Sequence, residues 1–381
     1  MRALTLALVL VPLACSSPMQ TPRTPTADWP TFRGDLQRRG AAPGARPVTE
    51  PELAWSVDLG GTIESSPTVV DGVVYCGTFA NQLSAFVAST GEERWRFPVD
   101  GLVRASPSVV GGAVYFGADD NRFYCLDART GAARWSLELG EGGEQSSPAV
   151  VDGVCYFGGF DQVVYAVNAE TGAVLWRFET GGEILSSPAV FDGLVAIGSR
   201  DGVLYALEAA TGIERWRVET GDAVWSSPSV HAGSLYFGSD DGRVYAVESA
   251  TGAPRWTVET GGAVFSSPVV DPATGALMIG SDDQLLRAIG LTDGRVRWST
   301  DLGGRILGTP ALVDGHLFVG GEGAGGDLPG ALFAIDAATG AVQWRFEIGA
   351  TVWSSPTAAG TALYFGAHDG QLRKLAQAGT D

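Results

Sequence analysis

Residues 221–256 read GDAVWSSPSVHAGSLYFGSDDGRVYAVESATGAPRW, and this pattern recurs eight times at a period of about 40 residues. Each copy holds four short apolar runs, named A to D here in chain order. Run A ends in Ser-Pro or Thr-Pro, run B ends in glycine, run C carries Tyr-Ala-Val or a near equivalent, and run D begins at tryptophan. β-branched and aromatic runs separated by Asp-Gly or Thr-Gly are typical of strands joined by hairpins. Four strands in a unit of this length predict the blades of a β-propeller.

The order of strands within a blade follows from the residues at its edges. Proline cannot donate to a strand ladder, so run A belongs at one edge, beside the central channel. Run D alternates charge, as in Trp176-Arg-Phe-Glu179, which protects an exposed outer edge. The last copy ends after run C at Leu375, and an orphan D run lies at Leu53–Asp58. We therefore predict an all-β, eight-bladed β-propeller of four-stranded antiparallel blades, closed by the N-terminal strand.

The N-terminal segment predicts export. Met1-Arg2 precedes an apolar run, Ala3 to Leu13, that is too short to span a bilayer and is typical of a signal peptide. Cys15 after Ala14 resembles the lipobox of bacterial lipoproteins, although Pro12 stands where that family usually has leucine. The resemblance implies lipidation of Cys15 and an outer-membrane lipoprotein facing the periplasm; ordinary secretion with cleavage nearby is the alternative. The predicted regions are a signal peptide (1–14), a lipid-anchored tether (15–28), an N-terminal lead-in (29–51) and the propeller (52–376).

The net charge limits the binding partners that we expect, and the cysteine content limits the disulfides. The formal net charge of −18 repels a phosphate backbone, so nucleic acid is not an expected partner, and membrane contact is expected only through the lipid anchor. Cys76, Cys125 and Cys155 are interpreted as buried thiols, with a disulfide between Cys125 and Cys155 as the open alternative. No spacing suggests a metal site, and no constellation suggests catalytic residues.

Run D carries a family resemblance. Asp127-Ala-Arg-Thr130-Gly131 followed by Trp135 resembles the tryptophan-docking motif of pyrroloquinoline-quinone-type propeller repeats, and similar motifs occur through nearly all of residues 52–375. In that family the tryptophan packs between neighbouring blades. The resemblance implies this role for Trp55, Trp95, Trp135, Trp176, Trp216, Trp256, Trp298 and Trp344.

Two branches of that family imply different functions. Quinone-dependent alcohol dehydrogenases are much longer and carry a vicinal disulfide and a calcium site, whereas no two cysteines are adjacent here. The short chain and Cys15 resemble the lipoprotein subunit of the outer-membrane barrel assembly machinery. We therefore expect a monomeric, non-enzymatic scaffold without cofactor that binds a protein or peptide of the cell envelope, in envelope protein assembly. A quinone-binding oxidoreductase, or a degenerate relative that binds a small ligand, is the alternative.

One column of run A varies where its neighbours are uniform. Two positions before the Ser or Thr that precedes proline, the eight copies hold Glu64, Arg104, Gln145, Leu185, Trp225, Phe265, Leu307 and Trp353. Because strand side chains alternate between faces, this variable column is expected to face the channel or its mouth. The candidate binding residues are Glu64, Arg104, Gln145, Trp225, Phe265 and Trp353; the alternative is that they only plug the channel. The Asp pairs at 119–120, 240–241 and 282–283 are interpreted as turn residues.

Overall fold

The structure is a computed structural model that describes residues 28–35, 37, 40, 42, 44–143, 146–322 and 330–379. The predicted signal peptide, Cys15, the tether up to residue 27 and Gln145 lie outside the described residues. Within the described ranges the chain forms no helix of the length and apolar character needed to cross a bilayer.

Thirty-two strands form eight sheets, numbered here as blades 1 to 8. Blade 1 contains β2 (Thr68–Val70), β3 (Val73–Thr78), β4 (Gln82–Val87) and β5 (Glu93–Pro98). Blade 2 contains β6 (Ser108–Val110), β7 (Ala113–Ala118), β8 (Arg122–Asp127) and β9 (Ala133–Glu138). Blade 3 contains β10 (Ala149–Val151), β11 (Val154–Gly158), β12 (Val163–Asn168) and β13 (Val174–Glu179). Blade 4 contains β14 (Ala189–Phe191), β15 (Leu194–Gly198), β16 (Val203–Glu208) and β17 (Glu214–Glu219). Blade 5 contains β18 (Ser229–His231), β19 (Ser234–Ser239), β20 (Arg243–Glu248) and β21 (Pro254–Glu259). Blade 6 contains β22 (Val269–Asp271), β23 (Ala276–Gly280), β24 (Leu285–Gly290) and β25 (Val296–Asp301). Blade 7 contains β26 (Ala311–Val313), β27 (His316–Gly321), β28 (Ala331–Asp336) and β29 (Val342–Glu347). Blade 8 contains β30 (Thr357–Ala359), β31 (Ala362–Gly366), β32 (Gln371–Gln377) and the N-terminal strand β1 (Pro51–Asp58).

The predicted fold is confirmed, including the closure of the ring by its N-terminal strand. Every blade is a four-stranded antiparallel sheet, and successive A strands contact one another around the channel, so A is the inner strand. In blade 8, β1 pairs antiparallel with β32 from Pro51↔Gln377 to Asp58↔Gln371. The eighth blade therefore joins the two ends of the propeller.

The glycine that ends run B permits close packing between blades. A Cβ added to Gly158 would lie 2.2 Å from the Cγ2 atom of Ile184, which comes from run A of the next blade. Gly238 has the same relation to Val264, at 2.3 Å from its Cγ1 atom. Ile184 and Val264 are fully buried, so the apolar column of run A fills the interface between blades.

A closed ring of eight hydrogen bonds encircles the channel at the residue before the proline of run A. The backbone N–H of Ser66 donates to the Oγ atom of Ser106 in the next blade at 3.0 Å. The same bond recurs in every blade, and Ser355 closes the ring by donating to the Oγ atom of Ser66 at 2.9 Å. The intervening members are Ser147, Ser187, Ser227, Ser267 and Thr309. Since a buried N–H without an acceptor is costly, this ring explains why each copy keeps a hydroxyl residue before its proline.

The tryptophans of run D lie against the next blade. The Nε1 atom of Trp176 donates to the carbonyl of Ala209 at 2.9 Å, and a Cβ added to Gly212 would lie 2.6 Å from the indole. Seven of the eight indole N–H groups make a bond of this kind. Trp344 is a special case because its acceptor, at 2.9 Å, is the carbonyl of Val48 just before β1. The chain segment before β1 therefore completes the last interface.

The lead-in crosses the far end of the channel as a strap, a name used here for the described residues 29–35, 37, 40 and 42. Trp29 forms a two-way backbone bridge with Val69 in blade 1, at 2.7 and 3.1 Å. The strap then reaches blade 5, where Arg33 is 2 % exposed and its Nη1 atom donates to the carbonyl of Ser227 at 3.0 Å. Gly40 reaches blade 7. The strap therefore holds blades from opposite sides of the ring together.

Candidate binding site at the channel mouth

The variable column of run A lines one cavity of about 150 Å³ at the mouth of the channel. Its wall contains Glu64, Arg104, Leu185, Trp225, Phe265, Leu307 and Trp353, together with the hydroxyl ring. Phe32 of the strap also lines this cavity. Of the candidate binding residues, Gln145 alone lies outside the described residues. The residues that the sequence placed in one column thus lie around one opening.

One side of the mouth is apolar. The rings of Trp225 and Phe265 lie nearly parallel, with centroids 6.4 Å apart and an interplanar angle of 12°. Leu185 and Leu307 flank this pair, and all four side chains are only half-buried. Half-buried aromatic side chains at an opening offer apolar area that a partner can cover.

The other side is charged and internally paired. Arg104 lies between two carboxylates, donating through Nη1 to Glu64 and through Nε to Asp119, both at 3.1 Å. Its guanidinium also lies 4.3 Å from the centroid of the Phe79 ring. Across the mouth, Arg305 makes a bidentate pair with Glu322 at 2.8 and 2.9 Å. These pairs fix the arginines in place and leave the mouth acidic.

A second variable column, which sequence reasoning missed, contacts the first. It is the first residue of the turn between runs B and C, held in the eight copies by Phe79, Asp119, Phe160, Arg200, Asp240, Asp282, Glu322 and His368. Glu322 accepts a hydrogen bond from the Nε1 atom of Trp353 at 2.9 Å, and the Arg200 guanidinium lies 6.0 Å from the Trp225 ring. The variation of this position among the eight copies is the sequence signal that could have identified it.

The Asp pairs lie in the turns between runs B and C. Asp241 accepts a hydrogen bond from the Tyr245 hydroxyl at 2.5 Å. It also accepts one, at 2.8 Å, from the N–H of Gly221, which follows run D of blade 4. Asp240, the first residue of the same pair, instead lies beside Trp225 at the mouth. Both residues of each pair therefore lie in the turn as predicted, and in this pair the turn also places the side chain of Asp240 at the channel opening.

Burial shifts the protonation of two groups at the mouth. Burial raises the pKa of Asp240 to about 6, and the neighbouring carboxylates of Asp222, Asp282 and Asp241 add to this, while the nearby indole of Trp225 opposes it. Burial also lowers the pKa of His368, whose ring lies edge-on to Trp353 with centroids 4.5 Å apart. Burial thus disfavours the charged form of both groups.

The change Asp240→Asn is expected to stabilise the protein at pH 7.5. The folded state holds the Asp240 proton more tightly than the unfolded chain, so wild-type stability falls as the pH rises from 3.8 to about 6. Removing the charge should raise the melting temperature by about 1–2 °C at pH 7.5, the shift that about 1 kcal/mol produces in a protein of this size. Calorimetry at pH 7.5 and pH 3.5 tests this, with Glu179→Gln as the control, because Glu179 is an exposed carboxylate on the outer strand β13. An equal gain at both pH values would contradict the assignment.

The cysteines and acidic groups of the described residues do not form a further reactive or metal-binding site. Cys76, Cys125 and Cys155 are buried and form no disulfide, so the alternative of a Cys125–Cys155 disulfide is not found, and burial raises the pKa of Cys76 to about 12. Such thiols pack as small apolar groups and are poor nucleophiles. Among the described residues, no group of three His, Cys, Asp or Glu side chains is arranged to hold a metal ion.

Fold, docking tryptophans and repeat motif together define a propeller of the pyrroloquinoline-quinone-like repeat class. The chain belongs to the family described as outer membrane protein assembly factor BamB, whose profile matches residues 48–161, 160–302, 240–326 and 282–380. No protein of curated function matches the sequence significantly.

Solved structures share the fold at low sequence identity. BamB from Moraxella catarrhalis is 18% identical, with a TM-score of 0.72 over 86% of this chain and 99% of that one. Quinohemoprotein alcohol dehydrogenase ADHIIG from Pseudomonas putida HK5 is 17% identical, with a TM-score of 0.81 over 93% and 81%. The computationally designed Ika8 protein is 16% identical, with a TM-score of 0.75 over 85% and 99%. The fold is thus common to a BamB, a dehydrogenase and a designed protein, and function has to be argued from the site.

Proposed function

We propose that this protein is a non-enzymatic scaffold of the cell envelope, exported and anchored through Cys15, that binds a segment of a protein partner at the channel mouth. The observation that carries the proposal is the two-sided mouth, with Trp225 and Phe265 on one side and paired charges around Arg104 on the other. Large aromatics beside fixed charges are the combination that contributes most to binding energy at protein interfaces. Membership of the BamB family supports envelope protein assembly as the setting.

The mouth residues favour a protein segment over a quinone cofactor. Pyrroloquinoline quinone carries three carboxylates and needs cationic partners, but Arg104 and Arg305 are each already paired with carboxylates. Asp240 adds a further acid beside Trp225. The cavity of about 150 Å³ is also smaller than the roughly 300–1,000 Å³ of ordinary small-molecule sites. The described residues therefore do not fit this cofactor.

The double change Trp225→Ala and Trp353→Ala is expected to weaken partner capture at least about tenfold, since each such truncation often costs about 2 kcal/mol at an interface. Both side chains are half-buried at the mouth, so the fold should persist. The measurement is crosslinking and capture from envelope extract, with melting followed in parallel. Arg177→Ala is the control, because Arg177 is an exposed residue on the outer strand β13.

Two outcomes separate binding from mere plugging of the channel. Undiminished capture by a folded double variant would remove the mouth from the proposal. Loss of capture together with collapse of the fold would favour the plug interpretation instead.

The alternative, an oxidoreductase that binds a quinone, is supported by the fold that this chain shares with an enzyme of that class. It predicts that the protein takes up pyrroloquinoline quinone in the presence of calcium, with a change in the quinone absorbance spectrum. An unchanged spectrum at excess protein would exclude it.

A further inference from the structure

The strap at the far end of the channel covers the inner strands unevenly. The middle residue of each inner strand directs its N–H and C=O away from the neighbouring strand, as the two-way bridge between Val69 and Trp29 shows. The strap accepts the corresponding N–H in blades 2, 5 and 7, from Val109 to the Pro30 carbonyl, from Val230 to Gln37 and from Leu312 to Gly40, at 2.8–3.0 Å. Four of the eight inner strands are thus paired by the strap.

Blades 3, 4, 6 and 8 lack this pairing among the described residues, and of these only blades 3 and 4 are neighbours. Val150 and Val190 have the same register as Val69, since they pair with Cys155 and Val195 as Val69 pairs with Val74. Their N–H and C=O groups therefore face the channel, yet no residue that the structure describes accepts or donates there. Backbone groups in the interior of a protein are normally paired, so two adjacent unpaired edges need an explanation.

A cavity lies beside these two edges. It has a volume of about 450 Å³ and is lined by Val110, Val150 and Val190 of the blades and by Pro30, Thr31, Gly34, Asp35 and Gln37 of the strap. Two further cavities of about 380 and 280 Å³ share its valines and continue across blades 2 to 4. Val110 is 40% exposed, one of the few large apolar side chains so accessible. We call this continuous depression the strap groove.

The rim of the strap groove is acidic. Asp35 lies at the strap side, Asp152 and Asp192 lie at the hairpin turns of blades 3 and 4, and Glu170 lies beyond them. Arg134 also borders the groove, but it is paired with Asp127 at 2.9 Å. A basic segment is therefore the electrostatic complement of this surface.

We propose that the strap groove is a second binding site, which takes an extended peptide segment of a partner protein by strand addition. The peptide backbone pairs with Val150 and Val190, an aliphatic side chain fills the cavity at Val110, and flanking basic side chains face the acidic rim. The site lies at the opposite end of the channel from the mouth and does not depend on the function proposed there.

The first test uses a fluorescein-labelled peptide of alternating Arg and Val, with an alternating Glu and Val peptide as the charge control. Binding is measured by fluorescence anisotropy on the chain from Asp28 onward. The change Val110→Gln is expected to weaken binding of the basic peptide about tenfold, corresponding to 1.4 kcal/mol. His231→Gln is the matched control, because His231 has the same strand position in blade 5, where the strap pairs with the strand. Equal affinity of the two variants, or binding of the acidic peptide, would overturn the proposal.

Amide exchange gives a second, backbone-resolved readout that does not depend on a variant. In the free protein, the amides of Val150 and Val190 should exchange faster than those of Val109 and Val230, whose acceptors lie on the strap. The basic peptide should slow the first two selectively. Protection of Val150 and Val190 in the free full-length chain, lost when the chain begins at Asp28, would show that the protein's own tether fills the groove and would overturn the partner assignment.

Discussion

A variant in which β1 is replaced by a Gly-Ser segment of equal length is expected to melt at least about 5 °C below the wild-type protein, since several kcal/mol are lost and each shifts the melting temperature by about 1–2 °C in a protein of this size. β1 is the outer strand of blade 8 and pairs with β32 along nearly its whole length. It also carries Trp55, whose Nε1 atom donates to the Ala88 carbonyl of blade 1 at 3.1 Å. Removal therefore opens the ring at two contacts, to the last blade and to the first.

The same variant is expected to self-associate, because an uncovered β32 edge is free to pair with another chain. Calorimetry and size-exclusion chromatography measure the two effects. Leu53→Ser is the control, since Leu53 is 49% exposed and its change leaves the backbone pairing intact. A Gly-Ser variant that stays monomeric with an unchanged melting temperature would show that the ring does not depend on this strand.

The second large effect is expected from Trp176→Ala, which should lower the free energy of unfolding by about 3–5 kcal/mol. The indole lies against Gly212 and near Tyr156, with ring centroids 5.9 Å apart, and bonds to Ala209 of the next blade. Truncation leaves a cavity between blades 3 and 4 and removes one of the two hydrogen bonds that the Ala209 carbonyl accepts, the other coming from the Tyr156 hydroxyl at 3.1 Å. Denaturant unfolding measures the loss.

Arg177→Ala is the matched control for Trp176→Ala, because Arg177 is the next residue of β13 and its side chain is exposed. Its guanidinium lies 5.3 Å from the Tyr165 ring centroid within the same blade, so a small effect is expected. If the two variants unfold alike, the tryptophans do not hold the blades together.

The two proposed sites use opposite ends of one channel. Phe32 lines the mouth cavity, while Thr31 and Gly34 line the strap groove, so the strap contributes to both sites but their linings share no residue. The mouth variants at Trp225 and Trp353 and the groove variant at Val110 can therefore be tested independently. Because the two sites share no residue, we expect the binding losses of the mouth variants and of the groove variant to add when the changes are combined in one protein.

The sequence by itself determined the repeat, the strand order and the closure of the ring. Periodicity reports local structure, because each copy has to form the same hairpins and bury the same apolar column, as Ile184 and Val264 do. The prolines placed run A at the channel, and the orphan strand with Trp55 showed which terminus completes blade 8. The variable column was also readable, since Trp225, Phe265 and Trp353 occupy one position of the repeat.

Only the tertiary structure decided the path of the strap, the second column at the mouth and the unpaired edges of blades 3 and 4. The strap has no repeat, and its bonds join residues far apart in the chain, such as Arg33 and Ser227. The position of Asp240 beside Trp225 depends on how the turn between runs B and C of blade 5 lies against run A of the same blade. The hydroxyl ring closes only when Ser355 meets Ser66 across 289 residues. Such contacts are fixed by the geometry of a closed ring, which places distant segments side by side without leaving a periodic mark in the sequence.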